Sequence, residues 1–168
     1  MNNNNTIKLI NKETLKFDEF ILRCSIGSNG LSKNKFEGDK KTPIGIFSLG
    51  NLFYRKDKVK KPNTKLSCVV IKKNMLWSNN IEDKKNYNKL TTSNKKNVEE
   101  KIFRKDNKYD YMIPILYNYK NRILGKGSAI FIHLTEDYDT TEGCIALKKK
   151  DFLILSKLIN PKTKIKIF

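Results

Sequence analysis

Ile130-Phe131-Ile132-His133-Leu134-Thr135-Glu136-Asp137-Tyr138-Asp139-Thr140-Thr141-Glu142-Gly143-Cys144-Ile145-Ala146-Leu147 is two apolar runs around one polar loop. Short apolar runs bounded by turn-forming residues read as buried strands. The first run delivers His133, the only histidine in 168 residues. The second begins at Cys144, eleven positions later and directly behind Gly143. Two strands that present an imidazole and a thiol at the ends of one loop can do nucleophilic chemistry. The imidazole takes the thiol proton, and the thiolate is the reactive form. Gly143 lets the backbone turn sharply before the cysteine. Successive N–H groups at such a turn can stabilise an oxyanion.

The loop itself reverses the sign of the chain. Glu136, Asp137, Asp139 and Glu142 are four acids with no base among them, in a protein of formal net charge +18. Two readings stand side by side. The acids balance nearby lysines such as Lys148-Lys149-Lys150, or they draw a cationic amine to the site. Carboxylates favour an imidazolium on His133 and oppose a thiolate on Cys144, so distances decide their effect.

Strand signals continue outward. Thr6–Ile10 and Leu15–Phe17 flank a turn at 11–14, and Phe20–Ile26 reads as a third, more buried strand containing Cys24. Gly27–Lys41 reads as loop. Thr42–Leu49 follows, with Gly45 marking close backbone approach or a bulge. Leu52–Lys65 reads as polar loop, and Leu66–Lys72 as a strand buried on both faces, with Cys68 in the core. Lys73–Asn97 is a long polar excursion holding Trp77 and Tyr87-Asn88; loops of that length are usually functional or disordered. Val98–Arg104 fits a helical turn. Tyr109–Tyr117 is a strand that Pro114 moves towards an edge. Asp151 is the expected N-cap of a helix over Phe152–Ile159, stopped by Asn160-Pro161. Lys164–Phe168 closes the chain as a strand. About eight strands and one or two short helices make a mostly β fold, expected to be a single domain over 1–168.

Composition narrows the function. Lysine carries nearly all of the positive charge; Arg23, Arg55, Arg104 and Arg122 are the only arginines. Specific readers of nucleic acid lean on arginine forks, so no specific nucleic-acid partner is expected. An odd number of cysteines, Cys24, Cys68 and Cys144, gives no disulfide framework, and with one histidine no metal site is expected. No cofactor motif is present. No run is long enough for a membrane helix, and no signal peptide is visible at the polar start.

These residues resemble the L,D-transpeptidase catalytic domain, or YkuD domain. The resemblance is to the branch whose histidine strand leads through a loop to Thr-x-Gly-Cys-[Val/Ile]-Ala-Leu. Gly127–His133 is similar to that branch's histidine strand, and Thr141-Glu142-Gly143-Cys144-Ile145-Ala146-Leu147 to its cysteine turn. Glu37-Gly38-Asp39, then Thr42-Pro43-Ile44-Gly45-Ile46-Phe47, then Tyr54-Arg55, Trp77, Tyr87-Asn88, Tyr109-Asp110 and Tyr117-Asn118 follow in the branch's order.

The resemblance implies a β-sandwich or partly closed barrel with a small helix after the cysteine. It implies action on peptidoglycan stem peptides: a thioester forms with loss of D-alanine, then passes to an amine in 3→3 cross-linking or exchange, or to water in an L,D-carboxypeptidase. By the same resemblance Cys144 is the nucleophile, His133 the general base, the backbone at Gly143 and Cys144 the oxyanion hole, and Thr141 a hydroxyl that shapes the loop. Arg55, Thr141 and Glu142 are the candidate contacts to substrate, Arg55 for a carboxylate. Many family members have a second histidine and an arginine where this chain has Glu142 and Ala146. Ser78-Asn79-Asn80 stand where the branch has acids after the tryptophan. A periplasmic or cell-envelope location follows from the resemblance, and a cytoplasmic one stays open. The readings from other classes are a non-catalytic basic protein that binds nucleic acid or anionic wall polymer, and a cysteine peptidase or amidase of other specificity.

Overall fold

The computed structural model describes residues 5–92 and 99–168. Among them are fifteen short strands and one helix, so the chain is mostly β as expected. In chain order the strands begin with β1 Thr6–Asn11, β2 Thr14–Phe17, β3 Phe20–Arg23, β4 Leu31–Ser32, β5 Thr42–Pro43, β6 Gly45–Ser48 and β7 Leu52–Tyr54. They continue with β8 Cys68–Val70, β9 Met75–Ser78, β10 Leu90–Thr92, β11 Glu99–Lys101, β12 Tyr111–Pro114, β13 Phe131–Leu134 and β14 Ile145–Leu147. Helix α1, Lys149–Leu158, and β15, Lys164–Ile167, complete the chain.

Three sheets stack around two cores. The first has the order β3-β2-β1-β15-β6, the middle one β14-β13-β12-β7-β8, and the third β10-β9-β11. The alternation of strand side chains explains the layering. Ile130, Ile132 and Leu134 turn to a core shared with Ile7, Leu9, Leu15, Ile165 and Ile167 of the first sheet. Phe131, with Cys144 and Met112, turns the other way, to a second core with Trp77 of the third sheet. Helix α1 seals the first core through Phe152 and Leu155, with Phe152 stacked on Tyr111 at 5.8 Å. The two large sheets thus face each other as in a sandwich, and no sheet closes on itself among the described residues.

Several expectations are corrected. Phe20–Arg23 is an edge strand, not a more buried one, because nothing among the described residues pairs beyond it and Ile21 is 60% exposed. Leu52–Tyr54, expected as loop, is a wholly buried strand; its three apolar residues outweigh the polar chain that follows. The excursion after Lys73 is not one loop: β9 and β10 pair within it, and residues 93–97 lie outside the described residues. Glu99–Lys101 pairs with β9 as a strand instead of turning helically; Val98 lies outside the described residues. Tyr111–Pro114 is central, not an edge. Pro114 sits at its last position, beyond the residues paired to β7, where its missing N–H costs no ladder bond on that side. Cys68 is half-buried, not core. Helix α1 begins at Lys149, with Lys148 at the N-cap and no side-chain cap bond. Asp151 lies in its first turn, where a carboxylate complements the helix dipole.

Candidate active site

Strands β13 and β14 run parallel and adjacent, pairing Ile132 with Ile145 and His133 with Ala146. Parallel partners point to the same face, so Cys144, one residue before Ile145, stands beside Phe131 on the His133 side. Both side chains line one cavity of about 460 Å³. The thiol and the imidazole therefore share a face of the middle sheet, as the sequence required of a working pair.

Each group is held by the backbone. The Cys144 Sγ donates to the Ala129 carbonyl at 3.3 Å and accepts from the Phe131 N–H at 3.3 Å. The His133 Nδ1 lies 2.8 Å from the Leu134 carbonyl oxygen. A carbonyl only accepts, so Nδ1 carries the proton and a neutral ring has its lone pair on Nε2. The Tyr109 ring meets His133 edge-on at 5.3 Å and walls it from solvent.

Burial dominates the electrostatics. It pushes the Cys144 thiol up to about 12, although the Phe131 N–H works in the other direction. It pulls His133 down to about 4, although the bond to Leu134 works against it. Both groups are neutral at pH 7. A resting thiolate–imidazolium pair is thus disfavoured, and the thiol proton must leave as the sulfur forms its new bond.

The turn before the cysteine depends on two threonines. The Thr141 hydroxyl donates to the Cys144 carbonyl at 2.6 Å and accepts from the Gly143 N–H at 3.1 Å. The Thr42 hydroxyl donates to the Gly143 carbonyl at 2.9 Å and accepts from the Gly27 N–H at 2.9 Å. The Gly143 N–H is therefore occupied. The Cys144 N–H has no acceptor among the described residues and is the donor left to meet an oxyanion. Gly143 has φ +130°, and a Cβ there would stand 2.8 Å from the Lys41 carbonyl oxygen. That carbonyl is fixed by Lys35, whose buried ammonium also binds Asp39 at 2.5 Å. Gly143→Ala therefore faces both a contact that cannot relax and a strained φ. A loss of roughly 2–4 kcal/mol in urea unfolding is expected, together with a large drop in Cys144 reactivity.

Asn88 is a positioning residue that the sequence order flagged without a role. Its Oδ1 accepts from Trp77 Nε1 at 2.9 Å and from the Ala129 N–H at 3.1 Å, and its Nδ2 donates to the Tyr117 and Asn118 carbonyls. Ala129 has φ +53°, a left-handed conformation that a residue with a Cβ adopts only under constraint. The Asn88 amide supplies that constraint, and the Ala129 carbonyl accepts the hydrogen bond of the Cys144 thiol. Asn88→Ala orphans the buried Trp77 Nε1–H and the half-buried Ala129 N–H, and releases Ala129. A loss of about 3 kcal/mol in denaturant unfolding is expected, with Cys144 alkylated at an altered rate.

The other expected site residues divide. Thr141 and Glu142 line the cavity. Glu142 is largely exposed and pairs with Lys40 at 3.3 Å. Of the remaining loop acids, Asp139 lines the cavity and Glu136 and Asp137 do not. Arg55 does not line it either. Its guanidinium is buried, bonded to Asp57 through Nε and Nη2 at 2.8 and 2.7 Å, and stacked on Phe103 at 3.5 Å. Its Nη1 donates to the Arg104 carbonyl, so Arg55 braces the segment that brings Arg104 to the cavity. The expected carboxylate contact is corrected accordingly: the cations at the cavity are Arg104 and Lys108. Sequence reading passed over both, since neither stands in a motif. Glu37 and Glu100 are further acids of the wall. Glu37 is held by the Tyr87 hydroxyl at 2.5 Å, and Glu100 by the Tyr109 hydroxyl at 2.9 Å. Among the described residues no cluster of three or more His, Cys, Asp or Glu side chains could hold a metal ion.

A mostly β chain with a thiol and an imidazole on one sheet face defines a class of fold and site that family comparison makes specific. The model of the L,D-transpeptidase catalytic domain, YkuD, matches residues 4–167, and the chain belongs to that family, which acts on peptidoglycan. No curated protein and no solved structure matches it. No helix among the described residues is long and apolar enough to cross a membrane.

Proposed function

We propose that this chain is a cysteine-dependent L,D-transpeptidase acting on peptidoglycan stem peptides, with Cys144 as nucleophile and His133 as general base. The observation that carries this reading is the shared cavity of the two side chains on one face of the middle sheet. The donor is a stem tetrapeptide, bound with the carbonyl between its meso-diaminopimelate and terminal D-alanine against the thiol.

The Cys144 S–H turns from the Ala129 carbonyl to Nε2 of His133. Sulfur attacks the carbonyl carbon as its proton passes to the imidazole. The Cys144 N–H meets the oxyanion. The tetrahedral intermediate then collapses: the C–N bond breaks, and His133 returns the proton to the departing amine of D-alanine. A thioester on Cys144 remains. An acceptor amine attacks it, loses a proton to His133, and leaves an amide with the thiol restored.

The walls suit a zwitterionic substrate. Lys108 offers positive charge to a donor carboxylate, with Arg104 behind it already forked to Asp106, and Glu37, Asp139 and Glu142 offer negative charge to an ammonium. Water at the same thioester gives the L,D-carboxypeptidase outcome. The acids favour the amine. The test is a stem tetrapeptide digest with and without an added amine acceptor. Release of D-alanine with an amide product supports transfer. A tripeptide alone, at every acceptor concentration, assigns the carboxypeptidase. Cleavage elsewhere in the stem overturns both.

A further inference from the structure

The outer face of the first sheet takes no part in the cavity. Its inward residues Ile7, Leu9, Leu15, Leu22, Ile165 and Ile167 are buried in the first core. Its outward residues form one row across all five strands. Ile21 stands opposite Lys16, Lys16 opposite Lys8, Lys8 opposite Lys166, and Lys166 opposite Ile46. Three lysines lie side by side between two isoleucines that are 60% and 59% exposed. The five strands contain no aspartate or glutamate. None of the three ammonium groups is in an ion pair among the described residues. Lys166 lies 4.5 Å from the ring centre of Phe168, which is also exposed.

This arrangement works against the isolated fold. Like charges directly opposite on neighbouring strands repel. Exposed isoleucines at both ends of the row gain nothing from water. A general surplus of lysine scatters ammonium groups over a surface. It does not of itself align three in register across strands that contain no acid, with Glu13, Asp18 and Glu19 confined to the turns that join them. A partner with dense negative charge and an apolar layer just beneath it satisfies both features at once.

We propose that this face docks on an anionic lipid bilayer. Lys8, Lys16 and Lys166 meet the headgroup phosphates, and Ile21, Ile46 and Phe168 enter the boundary between headgroups and acyl chains. A dissolved polyanion matches the lysines but leaves the isoleucines in water. Nucleic-acid recognition would use arginine forks, and the row has none. The layering gives the contact a consequence. The first sheet and the Cys144–His133 face lie on opposite sides of the middle sheet's inner core. A chain held on a bilayer by this face keeps its cavity on the side of the middle sheet turned away from the lipid.

The test is co-sedimentation of the whole chain with vesicles of phosphatidylcholine alone and with phosphatidylglycerol mixed in. Binding to the anionic vesicles only, weakening with salt, is expected. K8E/K16E/K166E should weaken it at least about tenfold. I21N/I46N should weaken vesicle binding while leaving binding to duplex DNA unchanged. Trp77 fluorescence and a melting curve check that each variant is folded, and Lys16→Glu alone replaces the triple variant if that does not fold. No binding of the native chain to anionic vesicles, or no loss on charge reversal, overturns the proposal. So does vesicle binding that the isoleucine changes leave intact, which would assign the face to polyanions at large. The readout is binding, not turnover, so its failure leaves the catalytic reading untouched.

Discussion

Cys144→Ala is expected to abolish release of D-alanine from a stem tetrapeptide, a fall of at least ~10⁴-fold in turnover. The reason is the single thiol in the cavity. Cys24 is sealed in the first core, its thiol pushed up to about 12 chiefly by burial. Cys68 is half-buried on β8 and bonds only the Leu66 carbonyl. Neither lines the cavity that holds His133. Cys24→Ala and Cys68→Ala should therefore retain turnover, with Cys24→Ala losing some stability to the small cavity it leaves. Cys144→Ser is the sharper variant. It keeps the shape, but its hydroxyl holds the proton more tightly than a thiol. The same buried imidazole then has a steeper proton transfer to assist, so serine should be nearly as inactive as alanine. Comparable turnover from the Cys144→Ala protein would remove the thioester from the mechanism.

His133→Asn is expected to lower turnover by roughly 10²–10⁴-fold, since no other imidazole exists in the chain to replace it. The same substitution has a signature in acid. The folded imidazole protonates near pH 4, against 6.5 for an unperturbed histidine. Between those values the unfolded chain binds a proton that the native chain does not, so native stability falls as pH drops through that window. The full difference is about 3 kcal/mol for a group this buried. His133→Asn should remove that part of the acid sensitivity, measured as the change in urea midpoint between pH 7 and pH 4. An unchanged pH dependence would mean that His133 is solvated and not buried as the structure has it. In turnover, the same burial places the acid limb of kcat/KM for the native enzyme below the ordinary imidazole range.

The central segment was legible because its signals were local. Ile-rich runs on either side of a polar loop give β13 and β14, and a glycine before a lone cysteine gives the turn. Their parallel pairing, which puts the thiol and imidazole on one face, is a finding of the structure that residues 130–147 left open. Strands such as β7 and β11 were lost because their stability is tertiary. Leu52-Phe53-Tyr54 is only three residues before a lysine-rich loop, and its burial comes from β12 and β8 in distant sequence. Pro114 misled for a similar reason: one face of its strand ends where its neighbour ends. Arg55 misled differently. A guanidinium in a motif reads as a ligand contact, whereas Asp57, two residues on, had already taken its fork. The contribution of Asn88 was visible as an ordered residue but not as a constraint. Its hold on Ala129 spans 41 positions and depends on a left-handed backbone that no pattern reports.

The most direct measurement is the intact mass of the native protein during turnover of a stem tetrapeptide, read beside the Cys144→Ala protein. A transient covalent tripeptidyl adduct, formed with loss of D-alanine and confined to the peptide that contains Cys144, is the expected result. Addition of an amine acceptor should discharge it into an amide product. D-alanine released with no adduct at Cys144, or the same adduct on the Cys144→Ala protein, would contradict the proposed cysteine mechanism.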